Sequence, residues 1–170
     1  MSATWFVPEV RFLDGTVADI ELVRTVEPAP PDRTFAATVL LNDPTGAYAV
    51  VYSVRRRQWG PPGGWREADE SVADCARREV AEETGVRLVE EDLEPFGWER
   101  FVIGAPGPLT QPGRDLLQVY RAGVTTPRPP LLPSLDDTSA QEWVDAAELE
   151  RRCGAQFWWP LVADWVAHGL

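Results

Sequence analysis

The sequence predicts a mixed α/β or α+β domain, on three observations. β-rich runs and helical stretches are interspersed along the chain, the 44% apolar content is enough for one buried core, and 170 residues suit a single domain with at most a small appendage. No internal repeat breaks this pattern, and no low-complexity segment beyond one proline-rich connector.

Taken in order, two β-rich runs at 4–13 and 16–26 meet at Asp14-Gly15, a tight hairpin signal. Pro28, Pro30 and Pro31 end them. The run at 34–41 (TFAATVLL) reads as a buried strand, 42–46 as a turn, and 47–54 as its antiparallel partner. A loop rich in Gly and Pro follows at 59–64. A helix is then expected over 71–84, opened by Ser71 with Asp74 as a capping pair and closed by Gly85. Strands at 94–103 and 115–124 flank a turn-rich loop, 104–113, and four prolines make 125–133 a connector. A short strand at 141–144, a helix at 145–152 and a terminal helix at 160–168 complete the order.

Composition excludes several chemistries. Twenty-seven acidic against 16 basic residues give a net charge of −11, which disfavours bulk nucleic-acid binding. Every basic residue is Arg, so Schiff-base lysines and the Walker A lysine are absent. With His168 the only histidine, Ser-His-Asp and Cys-His catalysis and His-based metal sites have little to build on. Cys75 and Cys153 lack CxxC spacing and suit a reducing, cytoplasmic setting. No window resembles a signal peptide or a membrane span, so membrane association is not expected.

Carboxylate is what remains in quantity. On a helix at about 100° per residue, Glu79, Glu82 and Glu83 share one side, while Val72, Ala76 and Val80 occupy the neighbouring face. Carboxylates crowded at this spacing repel one another unless a cation sits between them, and hard divalent ions such as Mg²⁺ take oxygen ligands of this kind. The glycine-rich loop can bring backbone groups to the same point. The plainer reading is a solvated helix laced by pairs such as Asp74 with Arg78 and Arg78 with Glu82.

The spacing decides between them. Gly64, Glu70, Arg78-Glu79-Val80, Glu82-Glu83 and Gly85-Val86 fall in the order and at the intervals of the Nudix box, and the chain is identified as resembling the Nudix hydrolases. The likeness extends upstream through 59–64 (WGPPGG), with Pro61 where the family usually has Leu, and downstream through Glu142-Trp143-Val144 and Ala146-Ala147-Glu148-Leu149. It implies an α/β/α sandwich around a mixed sheet over 33–170, with the hairpin of 1–32 as an N-terminal extension outside the common core.

The resemblance further implies a Mg²⁺-dependent hydrolase, with Mn²⁺ as a substitute, that cleaves a phosphoanhydride in a nucleoside diphosphate linked to another group. Glu79 and Glu83 would be the principal metal ligands and Glu82 a further ligand or a base. Gly64 or Gly63 would offer a carbonyl, and Glu70 and Arg78 would orient loop and helix. The general base stays open among a box glutamate, Asp115, Asp136, Asp137 and Glu142. Substrate phosphate could meet Arg55, Arg56, Arg57, Arg66, Arg100 or Arg114, although strand alternation turns at least one of the first three away. Trp59, Trp65, Trp98 and Phe101 could stack on a base. A non-catalytic nucleotide-binding module is the alternative, though its kind commonly loses box carboxylates that are intact here. An isoprenoid diphosphate isomerase would need further ligands including His. The partner expected is a small-molecule nucleotide, with a homodimer through the hairpin left open.

Overall fold

The computed structural model describes residues 2–104, 113–132 and 138–168. Its strands are β1 (Ala3–Arg11), β2 (Val17–Arg24), β3 (Thr34–Asn42), β4 (Tyr48–Ser53), β5 (Gln58–Gly60), β6 (Gly63–Trp65), β7 (Glu94–Ile103), β8 (Leu116–Gly123) and β9 (Thr138–Val144). Three α-helices accompany them: α1 (Val72–Thr84), α2 (Ala146–Cys153) and α3 (Trp159–His168). The expected helices and longer strands all form, within a few residues at each end.

The strands run in the order β1-β2-β7-β8-β3-β4-β5, with β6 on β3 and β9 on β4. The sheet is mixed because β3 and β8 pair in parallel along their length, from Thr34↔Leu116 to Asn42↔Gly123. The other strand pairs are antiparallel. β3 is covered on both faces, which is why its sequence reads as a continuous apolar run. Ala37, Val39 and Leu41 pack under α1 with Cys75, Ala76 and Val80. Leu40 turns to the opposite layer, where Leu149, Leu161, Val162 and Trp165 of α2 and α3 cover the sheet. The helix layers on both faces make an α/β/α sandwich.

One expectation holds over a shorter length than the sequence suggests, and one needs correction. β4 meets β3 only at Asn42↔Tyr48, because β6 takes β3's free edge through Ala36↔Trp65 and Thr38↔Gly63. β4 therefore peels off and pairs with β9 and β5. The segment read as a plain Gly/Pro loop also carries these short strands β5 and β6.

The hairpin forms with Gly15 at φ +88° and the Asp14 carboxylate accepting from the Thr16 amide at 2.9 Å. It is continuous with the sheet: β2 pairs with β7 from Ala18↔Ile103 to Arg24↔Gly97. Arg24 also forms an ion pair with Asp164 of α3 at 2.6 Å. Between Val7↔Ile20 and Val10↔Ala18 the register of β1 slips by one residue, with Glu9 at φ +53°. Pro8, which has no N–H to give, sits at this bulge. The extra residue turns Val7 and Val10, three apart, toward the same side.

Candidate active site: a carboxylate cluster beside a cavity

α1 starts and ends as its sequence dictates. The Ser71 hydroxyl accepts from the Asp74 amide at 3.0 Å, and Gly85, at φ +76°, donates its N–H to the Ala81 carbonyl. Fixed at both ends, the helix sets its acidic side against the loop and β6.

Glu83 is only 6% exposed, and one carboxylate oxygen accepts from the Gly63 amide at 3.0 Å. Glu79 lies against Gly64 so closely that a Cβ there would stand 2.4 to 2.7 Å from its carboxylate atoms. Burial pushes the Glu79 carboxyl above its ordinary range, against the pull of Arg78. The Gly64 carbonyl accepts from the Cys75 thiol at 3.5 Å. Burial, with Glu70 and Glu79 nearby, pushes that thiol up to about 12, so it stays protonated.

Arg78 is the hub of the cluster. It donates to Glu70 from Nε (2.7 Å) and Nη2 (3.1 Å), to Glu79 (2.8 Å) and Glu82 (3.1 Å) from Nη1, and to the Trp65 carbonyl (2.9 Å). The hydrogen bonds from Arg78 hold Glu70 well below the ordinary carboxylate range, burial opposing them. Glu70 also accepts from the Glu67 amide, pinning the loop. The expected pair of Asp74 with Arg78 does not form: Glu70 draws Arg78 to the loop, and Asp74 pairs with Arg77 at 3.0 Å.

Among the described residues no three His, Cys, Asp or Glu side chains converge as a ready metal cage. The donor set still suits a hard divalent cation: Glu70, Glu79 and Glu82 gather around Arg78, Glu83 is held at Gly63, and carboxylate oxygens are the ligands such an ion takes.

Across β3 lies a cavity of about 560 Å³. Its lining includes Thr38, which pairs with Gly63 in register and whose hydroxyl donates to the Pro62 carbonyl at 2.8 Å. One strand thus separates the cavity from the carboxylates. Phe12, Phe35, Trp65, Phe101 and Phe157 give it an aromatic wall, with Phe35 edge-on to Phe101 at 5.3 Å and to Trp65 at 5.7 Å. Arg55, Arg56, Arg114 and Arg11 also line it.

The expected phosphate contacts divide accordingly. Arg55 and Arg56 face the cavity and Arg57, at φ +53°, does not. Arg66 is committed to the carbonyls of Glu70, Pro31 and Thr34, and Arg100 lies 3.5 Å from Asp115. Of the aromatic residues, Trp65 and Phe101 line the cavity; Trp59 lies under Arg152 at 4.2 Å, and Trp98 is outside the lining. Asp115 is held in its ionised form by Arg33, and Glu142 accepts from Arg152 at 2.6 Å. Asp136 and Asp137 lie outside the described residues.

Sequence reasoning missed Glu99. It is 5% exposed, lines the cavity, and sits where strand alternation calls for an apolar side chain, in register with Leu22 and Leu117. Read as part of an alternating strand, it is simply one more acidic residue.

A model of the NUDIX domain matches residues 32–165. No curated protein sequence matches the chain. Among solved structures, a Bacillus subtilis pyrophosphohydrolase superposes with a TM-score of 0.55 at 19% identity, over 81% of this chain and 77% of that one. A C. elegans Ap4A hydrolase gives 0.56 at 16% identity, over 78% and 96%. A bifunctional NMN adenylyltransferase/ADP ribose pyrophosphatase from Francisella tularensis, complexed with AMP and a manganese ion, gives 0.59 at 18%. That match covers 82% of this chain and 43% of the other. At these identities the likeness is one of fold.

Proposed function

We propose, from the premise that this chain belongs to the Nudix family, that it is a divalent-metal-dependent pyrophosphohydrolase acting on a nucleoside diphosphate linked to another group. The observation that carries this reading is the meeting of Glu79 and Glu83 with Gly64 and Gly63 at β6, one strand away from an aromatic cavity that arginines also line. A nucleotide has this bipartite character: an anionic diphosphate joined to an apolar, flat base.

Glu79 and Glu83, with the Gly64 carbonyl, would hold Mg²⁺, and Mn²⁺ offers the same hard acceptance of oxygen ligands. When bound, the metal would neutralise the diphosphate and lower the pKa of water. The chain's own residues do the remaining work. Arg78 and Glu70 fix the loop against α1, Gly63 orients Glu83 through its amide, and Arg55, Arg56 and Arg114 supply positive charge at the cavity. Glu82, with 28% of its side chain exposed, is the box carboxylate best able to take a proton from water, and we assign it the role of base. The two buried free thiols suit a reducing, cytoplasmic setting; among the described residues no helix is long and apolar enough to cross a membrane.

Glu83→Gln tests the reading. The amide oxygen can still accept from Gly63, so the fold is retained while a charged ligand is lost. Metal-dependent cleavage across nucleoside triphosphates, ADP-ribose, nucleotide sugars and dinucleoside polyphosphates is expected to fall at least ~100-fold, on the scale of several kcal/mol of transition-state stabilisation. Unchanged turnover would overturn the assignment, and product masses would name the substrate class. A homodimer through the hairpin, which the sequence leaves open, is proposed alongside; a monomeric mass in solution would overturn it.

A further inference from the structure

β7 spends one of its buried positions on an acid. Glu99 shares its face of the strand with Phe101 and Ile103, and all three line the cavity. Its cross-strand neighbours are the apolar Leu22 and Leu117. Among the described residues the Glu99 carboxyl group has no hydrogen-bond or ion-pair partner. Desolvating a carboxyl without a partner is costly, so a chain that keeps one in an aromatic cavity is paying for something the folded protein alone does not use. A ligand inside that cavity is the partner the geometry leaves available.

Resting on the reading of the site as a nucleotide hydrolase, we propose that Glu99 selects the nucleobase, its carboxylic acid donating to a ring nitrogen and accepting from the adjacent amino group, the edge that adenine offers. The aromatic wall of Phe35, Phe101 and Trp65 takes the flat faces of the base, and Glu99 takes its edge. Burial raises the Glu99 carboxyl to about 8, with Arg56 pulling the other way. At neutral pH the group is therefore mainly the acid, with one donor and one acceptor. Guanine's corresponding edge presents two N–H donors and would be matched by the ionised carboxylate instead. The other charged groups lining the cavity are Arg11, Asp14, Arg55 and Arg114.

The test is equilibrium binding of ADP and GDP, without metal, to the wild-type protein, Glu99→Gln and Glu99→Leu between pH 6 and 9. Melting curves of each variant establish that it is folded. Wild type is expected to bind ADP more tightly than GDP below pH 8, with the preference shrinking above it as Glu99 ionises. A glutamine amide also sets an N–H donor group beside a carbonyl acceptor, so Glu99→Gln should keep the ADP affinity within about 3-fold and lose the pH dependence. Glu99→Leu should weaken ADP on the order of 10-fold or more, the scale of one lost buried hydrogen-bond pair.

The proposal is overturned if Glu99→Leu binds ADP as wild type does, if Glu99→Gln is as weak as Glu99→Leu, if GDP is preferred at pH 6, or if wild type binds neither nucleotide. Because no turnover is measured, the two readings fail separately. A wild-type protein that discriminates ADP from GDP in this way but cleaves no phosphoanhydride would sink the hydrolase and leave the role of Glu99 standing.

Discussion

Gly64 shows how one missing methyl group holds the site together. A Cβ at this position would stand within 2.7 Å of three Glu79 side-chain atoms, a separation that non-bonded atoms do not tolerate. Gly64→Ala should therefore displace the Glu79 carboxylate, raising the Mg²⁺ concentration needed for half-maximal turnover by about 10-fold or more, which a metal titration would read. A normal metal dependence would mean that Glu79 is not a ligand. Individual residues were unevenly legible in the sequence. The box glutamates, Arg78 and the paired glycines follow from spacing, because a helix and a loop fix their positions locally. Glu99 does not, since its isolation depends on strands from three distant parts of the chain. Nor could sequence show that Arg66 is consumed by backbone carbonyls while Arg55 and Arg56 turn to the cavity.

At the scale of an element, α1 is the part on which the site depends most, and its ends are set by Ser71 and Gly85. Ser71→Ala removes the hydrogen bond to the Asp74 amide and should cost about 1 kcal/mol in denaturant unfolding, with the metal dependence unchanged. A loss of metal response at unchanged stability would instead give Ser71 a part in the site. The boundaries of α1, β3, β7 and β8 were legible because each has a strong apolar period and a clear stop signal. β5 and β6 were not, because strands of three residues form only where a neighbouring edge is free to receive them. Their presence in turn explains why the antiparallel pairing of β4 with β3 is confined to Asn42↔Tyr48, since β6 takes the rest of that edge.

For the whole molecule, the hairpin outside the family match closes the cavity as well as extending the sheet. Phe12 packs edge-on to Phe157 at 5.8 Å and tilted against Phe101 at 6.1 Å, bridging the first hairpin to the segment before α3. Phe12→Ala should raise KM on the order of 10-fold with little change in kcat, and lower stability by about 1–3 kcal/mol. An unchanged KM would place the substrate elsewhere.

The walls of the cavity come from both extremes of the chain, Val7, Val10 and Phe12 at one end and Leu161 and Val162 at the other. During synthesis, α1 and its glycine loop leave the ribosome long before β8 gives β3 its parallel partner and α3 covers β2. A nascent chain stopped short of Trp159 would own every box carboxylate yet lack one wall of the cavity, so on the function proposed above the metal-binding half of the site precedes the half that would choose the substrate.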